Sequence, residues 1–363
     1  MKRLSAKAKL RQLRLQKKRE RKARKRKLKK RGRIQRPKVN RRVRLPDTLS
    51  GSKTLTLPGI LDLFENRKET LEAVSELQRI LIKSSYKNVT IDMSKITKIA
   101  PEAMLYLLAE IERCSNYMHG KNVVGNYPSD PDVCTMLSES GYFEYFRAAP
   151  PKFTPSKRVY LKVRSGSLTQ GQVVDELLQT FEKRVNLKGG SRRLLYSAIT
   201  ECMDNVKQHA YRKKMKTPYL LGNWWILGSC DINTGELSFC LLDQGMGIPG
   251  TLREKWADKI KTILFSDADL ITEAVHHGRS RLKDVRRGNG LPSLLRFVEN
   301  APEGRLAIFS KSANNCYFRN GPEKVTNDSV QLEGTLISWL LKPVADASLY
   351  GEQNKTAESQ NGL

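Results

Sequence analysis

Apolar and polar positions first organise this chain at "KTLTL", where alternation predicts a short strand, and then at "LEAVSELQRILI", where apolar residues return at helical spacing. "NVTIDMS" alternates as a strand does, "EAMLYLLAEIERC" is helical, and "KNVVGNYP" followed by "DVCTMLSESGYFEYF" adds a further strand and helix. This β-α-β-α order predicts an α/β layer fold that ends near residue 150 at the Pro-rich "AAPPKFTPSK".

From "RVYLKVR" onward the pattern changes. Helical periods cover about 169–185 and 191–210, then "YLLGNWWILGSC" and "ELSFCLLD" form two apolar runs joined through Asn233, Thr234 and Gly235, a hairpin signal. "RLAIFSK", "NCYFRN" and "GTLISWLL" supply later strands beyond a long segment, 250–290, that carries glycines and arginines. Helices followed by an antiparallel meander predict an α/β sandwich, a mixed and largely antiparallel sheet with helices on one face. The expected organisation is a basic disordered tail over 1–47, an α/β domain over 48–150, a linker over 151–167, a second domain over 168–343 and a polar tail over 344–363.

Charge adds the tail to this picture. Residues 1–45 carry 24 Lys and Arg against Glu20 alone, so most of the formal net charge of +29 sits there. Such self-repulsion with few apolar residues predicts disorder or a fluctuating helix. Nucleic acid is the first partner class for it; a solubilising arm that binds polyanions without selectivity is the alternative, because no aromatics interleave the charges. Nearly Ser-free and charge-dense, the tract departs from a transit peptide. With no apolar run long enough to cross a bilayer, and six cysteines without metal-ligand spacing, the expectation is a cytoplasmic protein with free thiols and no membrane association.

Candidate chemistry lies in the second domain. In "ECMDNVKQHAY" Glu201 and Asn205 share one side of a helix whose adjoining side is Leu195, Ile199, Cys202 and Val206. Glu201 could orient or deprotonate a water, and the Asn205 amide oxygen could ligate Mg²⁺; a solvated helix face is the bland alternative. "FCLLDQGMGIPG" runs a strand into Asp243 followed by Gly245, Gly247 and Gly250, which suits reading an exocyclic amine, or is a plain turn. "RRGNGLPSLLRFVEN" sets Gly288 and Gly290 before a helix, where free N–H groups favour phosphate. "EGTLISWLL" starts a strand with Gly334 and Thr335.

In this order the residues resemble the N, G1, G2 and terminal Gly-Thr boxes of the GHKL ATPases, the superfamily of gyrase, heat-shock chaperone, histidine kinase and mismatch-repair ATPases with the Bergerat fold. The resemblance covers about 165–343 and implies a Bergerat-fold two-layer sandwich that binds ATP with Mg²⁺. It implies Glu201 as the catalytic or water-orienting carboxylate, Asn205 as the Mg²⁺ ligand, and Asp243 as the adenine-reading group. Gly245, Gly247, Gly288 and Gly290 would shape the pocket, Thr335 would stand beside the base, and 250–288 would be the ATP lid, with Arg279, Arg281, Arg286 and Arg287 in it. "E-x-x-x-N-x-x-x-H-A-Y" looks most like the anti-sigma-factor serine kinases. None of His119, His209, His276 and His277 lies in an evident dimerisation helix, which disfavours a two-component histidine kinase.

The stretch "NVTIDMSKITKIAPEAMLYLLAEIERC" with "GYFEYF" is similar to a STAS domain, the fold of anti-sigma-factor antagonists, over about 50–148. Where those antagonists offer a phosphoacceptor Ser, this chain reads Ile99-Ala100-Pro101-Glu102, with Ser94 nearer the strand, so a docking or dimerisation module for a protein partner is expected. The functional expectation is an ATP-responsive regulator whose lid closure controls partner engagement, with hydrolysis possible through Glu201. The alternatives are an anti-sigma-type serine/threonine kinase and a nucleic-acid-bound interaction protein with a vestigial ATP site. A homodimer fits any of them.

Overall fold

The computed structural model describes residues 49–115, 120–146, 148–152, 158–182, 190–211, 222–255, 265–277, 303–319 and 323–342, with Leu291, Leu294, Leu295, Val298 and Glu299 between. The basic tract, the C-terminal tail, Gly288, Gly290, His119 and the four candidate lid arginines lie outside the described residues.

Strand β1 (Ser52–Thr56), the short β2 (Ile60–Leu61) and helix α1 (Arg67–Gln78) come first, α1 continuing into a wider π-type turn over Arg79–Lys83. β3 (Asn88–Asp92), β4 (Lys98–Ile99), α2 (Pro101–Ser115), β5 (Asn122–Gly125), α3 (Pro131–Glu139) and α4 (Tyr142–Tyr145) complete this half. β3 lies between β1 and β5 in a parallel sheet, and β2 pairs with β4 in parallel. The Asp130 carboxylate accepts from the N–H groups of Asp132 and Val133, and Pro131 follows, so α3 starts where its orphan donors are satisfied.

The second half contains β6 (Arg158–Tyr160), β7 (Arg164–Gly166), α5 (Gly171–Glu182) and α6 (Gly190–Asn205), the last extended by a π-type turn over Val206–Ala210. It continues with β8 (Trp224–Asp231), β9 (Leu237–Asp243), α7 (Gly247–Lys255), α8 (Asp267–His277), β10 (Glu303–Phe318) and β11 (Lys324–Lys342). The strands form a six-stranded antiparallel sheet in the order β10-β11-β9-β8-β6, with β7 also on β8. The protein is therefore mixed α/β with both parallel and antiparallel sheets.

Four details differ from the sequence expectation. Part of the expected linker is sheet, since Arg158–Tyr160 and Arg164–Gly166 both pair with β8. "RLAIFSK" and the "NCYF" of "NCYFRN" are one strand, β10, and the polar break between them is a bulge at Ser310–Ala313 where Lys311 takes φ 56°. β11 begins ten residues before Gly334, through "KVTNDSVQLE", whose mostly exposed positions carry no hydrophobic period to reveal a strand. The middle of the expected lid is α8, whose Ala268, Leu270, Ile271 and Val275 are buried; these apolar residues give that stretch to the core.

The largest difference concerns the sheet faces. β8 and β9 are buried at nearly every position, so both faces need a cover. One side takes Trp224, Ile226, Phe239, Leu241, Ile308 and Trp339 into a core with α5, α6 and α8. The alternating set Trp225, Leu227, Cys240, Leu242, Phe309 and Leu336 joins the core of the N-terminal half. Helices of the second half cover one face as expected, while α1 and α2 close the other, and the described residues belong to one compact unit.

Polar contacts pin that second face. Arg67 of α1, nearly buried, donates to the carbonyls of Lys311, Ser312 and Ala313 and pairs with Asp328 at 2.9 Å. Arg305 stacks over the Phe64 ring, 4.1 Å from its centroid. Glu102, in the first turn of α2, accepts from Ser338 of β11 at 2.8 Å. Among the described residues no helix is long and apolar enough to cross a membrane.

Candidate nucleotide site

Asp243 ends β9, and the register of β9 with β11 puts Thr335 directly opposite it. Both share the parity of Leu241 and Ile337, so they face the side covered by α6. The carboxylate is 7% exposed, and the Gly245 N–H donates to its Oδ1 at 2.8 Å. Burial raises its pKa to about 7, against the pull of that N–H, the Thr335 hydroxyl and the Lys311 charge.

Glycines are needed around this carboxylate because main chain closes on it. A Cβ on Gly334, φ +91°, would stand 1.9 Å from the Asp243 carbonyl oxygen. One on Gly245 would stand 2.3 Å from the Ala210 carbonyl oxygen, and one on Gly247 2.6 Å from Ser310 Oγ. Ser310 bridges the group: it accepts from the Ile248 N–H at 3.1 Å, donates to the Gly334 carbonyl at 2.7 Å and lies 3.3 Å from the Thr335 hydroxyl.

Glu201 and Asn205 are half-buried on α6, one turn apart. Cys202 beside them is buried on the core side; burial above all, then the charges of Glu201 and Asp243, pushes its thiol pKa up. The π-type turn after Asn205 delivers the chain onto the Asp243 loop. There the Ala210 carbonyl accepts from Met246 N–H at 3.0 Å and the Tyr211 hydroxyl from Gln244 N–H at 2.8 Å. The wide turn thus replaces the ordinary helix end with backbone aimed at the loop. The His209 carbonyl accepts from the Thr251 hydroxyl. His276, exposed on α8, bonds Glu323 at 2.6 Å and packs edge-on against Tyr317.

The structure thus brings Asp243, Gly245, Gly247 and Thr335 into one cluster and packs the end of the Glu201–Asn205 helix against it, while Gly288 and Gly290 lie outside the described residues. Sequence reasoning missed Ser310, Lys311 and Gln244. Ser310 reads as an ordinary strand serine in "RLAIFSK", and Gln244 as a filler between Asp243 and Gly245. Its side chain, 1% exposed, points away from Asp243 to Glu110 of α2 at 2.7 Å. Among the described residues no group of three or more His, Cys, Asp or Glu side chains is arranged to hold a metal. No protein-family model matches the chain, and no curated protein matches it either.

Proposed function

We propose that this protein is a cytoplasmic Mg-ATP-binding regulator of the GHKL type, a STAS-like N-terminal half packed on a Bergerat-type sheet. The observation that carries the reading is the buried Asp243 carboxylate opposite Thr335, set among glycines that a side chain could not replace.

A carboxylate that main chain encloses, with one oxygen already accepting from Gly245, presents a directional acceptor in a site with little water. This suits the exocyclic amine of adenine, and the missing Cβ atoms at Gly245 and Gly247 let the Ala210 main chain and Ser310 close around the loop that carries the carboxylate. ATP would supply the phosphates and the bond whose cleavage drives the cycle. Asn205 would then give an amide oxygen to Mg²⁺; with no carboxylate cluster among the described residues, most of the ion's oxygens would come from phosphate and water. Glu201, one turn earlier, would orient or deprotonate a water.

Regulation fits the packing of α1 and α2 on the sheet that carries Asp243 and Thr335. In the STAS-like half, the resemblance places an acceptor serine near the start of α2, where this chain has Glu102 buried against Ser338. That arrangement favours a docking role over a phosphorylated one, with a protein partner engaged through this half.

The test is ATP binding by calorimetry with and without Mg²⁺, with phosphate release followed in parallel. Asp243→Asn should lose binding, Asn205→Ala should lose its Mg²⁺ dependence, and Glu201→Ala should bind without turnover. Wild-type protein that does not bind ATP would remove the reading.

A further inference from the structure

A polar stripe runs along α2 at four-residue spacing, and each of its members bonds to the second half, on β11 or just beyond the end of β9. Glu102 accepts from Ser338, the Tyr106 hydroxyl accepts from the Glu333 N–H at 3.3 Å, and Glu110 accepts from the Gln244 side chain at 2.7 Å. The last two reach residues that adjoin the candidate site in sequence: Glu333 precedes Gly334 and Thr335, and Gln244 follows Asp243.

Glu110 is fully buried, and its two oxygens divide their work. Oε2 accepts from Arg113 Nε at 2.9 Å and from Gln78 at 2.6 Å, with a second, shorter bond from the Arg113 guanidinium, while Oε1 is given to Gln244. Arg113 and Gln78 hold the carboxylate in one orientation, and its directional acceptor fixes Gln244.

Gln244 is held at both ends. Its N–H donates to the Tyr211 hydroxyl at 2.8 Å, and that hydroxyl in turn donates to the Asn223 carbonyl at 2.8 Å. Tyr211 directly follows the turn after Asn205, and Asp243 points to the opposite face of the sheet from Gln244. The peptide between Asp243 and Gly245 is therefore clamped between α2 on one side and the end of the Glu201–Asn205 helix on the other. A shift of Gln244 would move the Gly245 N–H that bonds Asp243 Oδ1 at 2.8 Å.

On the ATP reading above, we propose that Glu110 is a positioning residue for the base-reading carboxylate, acting through Gln244, so that the N-terminal half sets adenine affinity and selectivity. Nucleotide binding and the docking of α2 are then coupled reciprocally: whatever displaces α2 loosens ATP, and ATP tightens α2 on the sheet.

The experiment uses the full chain and measures ATP and GTP affinity for wild type, Gln244→Met, Glu110→Gln and Gln78→Met, with circular dichroism to confirm folding. Gln244→Met keeps the shape, cuts the bond to Glu110 and leaves Glu110 paired with Arg113 and Gln78. Its ATP affinity should fall about tenfold or more, and the ATP-over-GTP preference should shrink, which a smaller folded fraction alone would not cause. Gln78→Met removes one of the bonds that orient Glu110 while Arg113 still holds the carboxylate, and should lower affinity and preference less than Gln244→Met does. Glu110→Gln should follow Gln244→Met, and if it does not fold, Gln244→Met alone decides. Wild-type ATP binding with unchanged affinity and preference in folded Gln244→Met overturns the inference alone. Absence of ATP binding by the wild type removes the ATP reading and this inference with it.

Discussion

Thr335 lies directly opposite Asp243 in the antiparallel pairing of β11 with β9, and its hydroxyl helps hold down the pKa of a carboxylate that burial raises to about 7. Two residues far apart in sequence thus make one titrating acceptor near neutral pH.

Affinity for an adenine base should follow that titration. The ionised form is the better acceptor for an amine, so binding should be flat above about pH 7 and weaken below it, by at most about tenfold per pH unit. Adenosine is the suitable ligand, since it has no phosphate to titrate. Thr335→Val removes a donor that holds the pKa down and should move the midpoint to higher pH; an unmoved midpoint would count against Asp243 as the titrating group.

Folding stability should respond in the opposite sense. Asp243 titrates higher in the fold than its ordinary 3.8, so its contribution is fully present below that ordinary value and is lost as pH rises through about 7. Asp243→Asn keeps an acceptor without the buried charge and should melt higher than wild type at pH 8, by up to a few kcal/mol, with the gap closing toward pH 5. Melting curves at the two pH values check this; a variant that melts lower at pH 8 would show that its lost bonds outweigh the removed charge.

Part of the candidate cluster was legible because its signals are local. Asp243 stands where an apolar run meets glycines, and Gly334 precedes Thr335 where β11 turns apolar; in order along the chain these local signals carry the family resemblance that nominates them. Glu110, Arg67 and Ser310 were not legible, because each acts through a contact across the fold that leaves no periodic trace in sequence. The burial of both sheet faces could have been read from the unbroken apolar runs "NWWILGSC" and "LSFCLLD"; alternation is what a sheet with one wet face would show.

Glycine positions separate close approach from mere backbone preference. Gly334 and Gly222 both take positive φ, +91° and +71°, but a Cβ on Gly334 meets the Asp243 carbonyl at 1.9 Å and one on Gly222 meets nothing within 4 Å. Gly222→Ala should cost about 1–2 kcal/mol from the left-handed conformation alone. Gly334→Ala should cost clearly more, with nucleotide affinity lost as well. Equal costs in urea unfolding would mean that β11 can move away from β9 at this point.

The expectation that the basic tract binds nucleic acid is testable independently of the proposed ATP site. With 24 Lys and Arg in residues 1–45, affinity for duplex DNA or RNA should fall steeply with salt as displaced counterions return. Deletion of 1–45 should abolish the salt-sensitive component. A deletion that leaves both affinity and salt slope intact would assign nucleic-acid binding, if any, elsewhere.

Arg67 should be the most sensitive tie between the two halves. Its guanidinium donates to three consecutive carbonyls, those of Lys311, Ser312 and Ala313, at the bulge where Lys311 takes its unusual φ. Arg67→Met keeps the apolar stem but leaves the carbonyls without these donors, at a cost of about 3 kcal/mol. Asp328, the guanidinium's other partner, is 40% exposed, so Asp328→Asn should cost about 1 kcal/mol or less. Because the bulge also positions Ser310 and Lys311 beside Asp243 and Gly247, Arg67→Met should weaken ATP binding as well as stability. Loss of stability with unchanged ATP affinity in the folded fraction would show that β11 and β9 hold the bulge without help from α1.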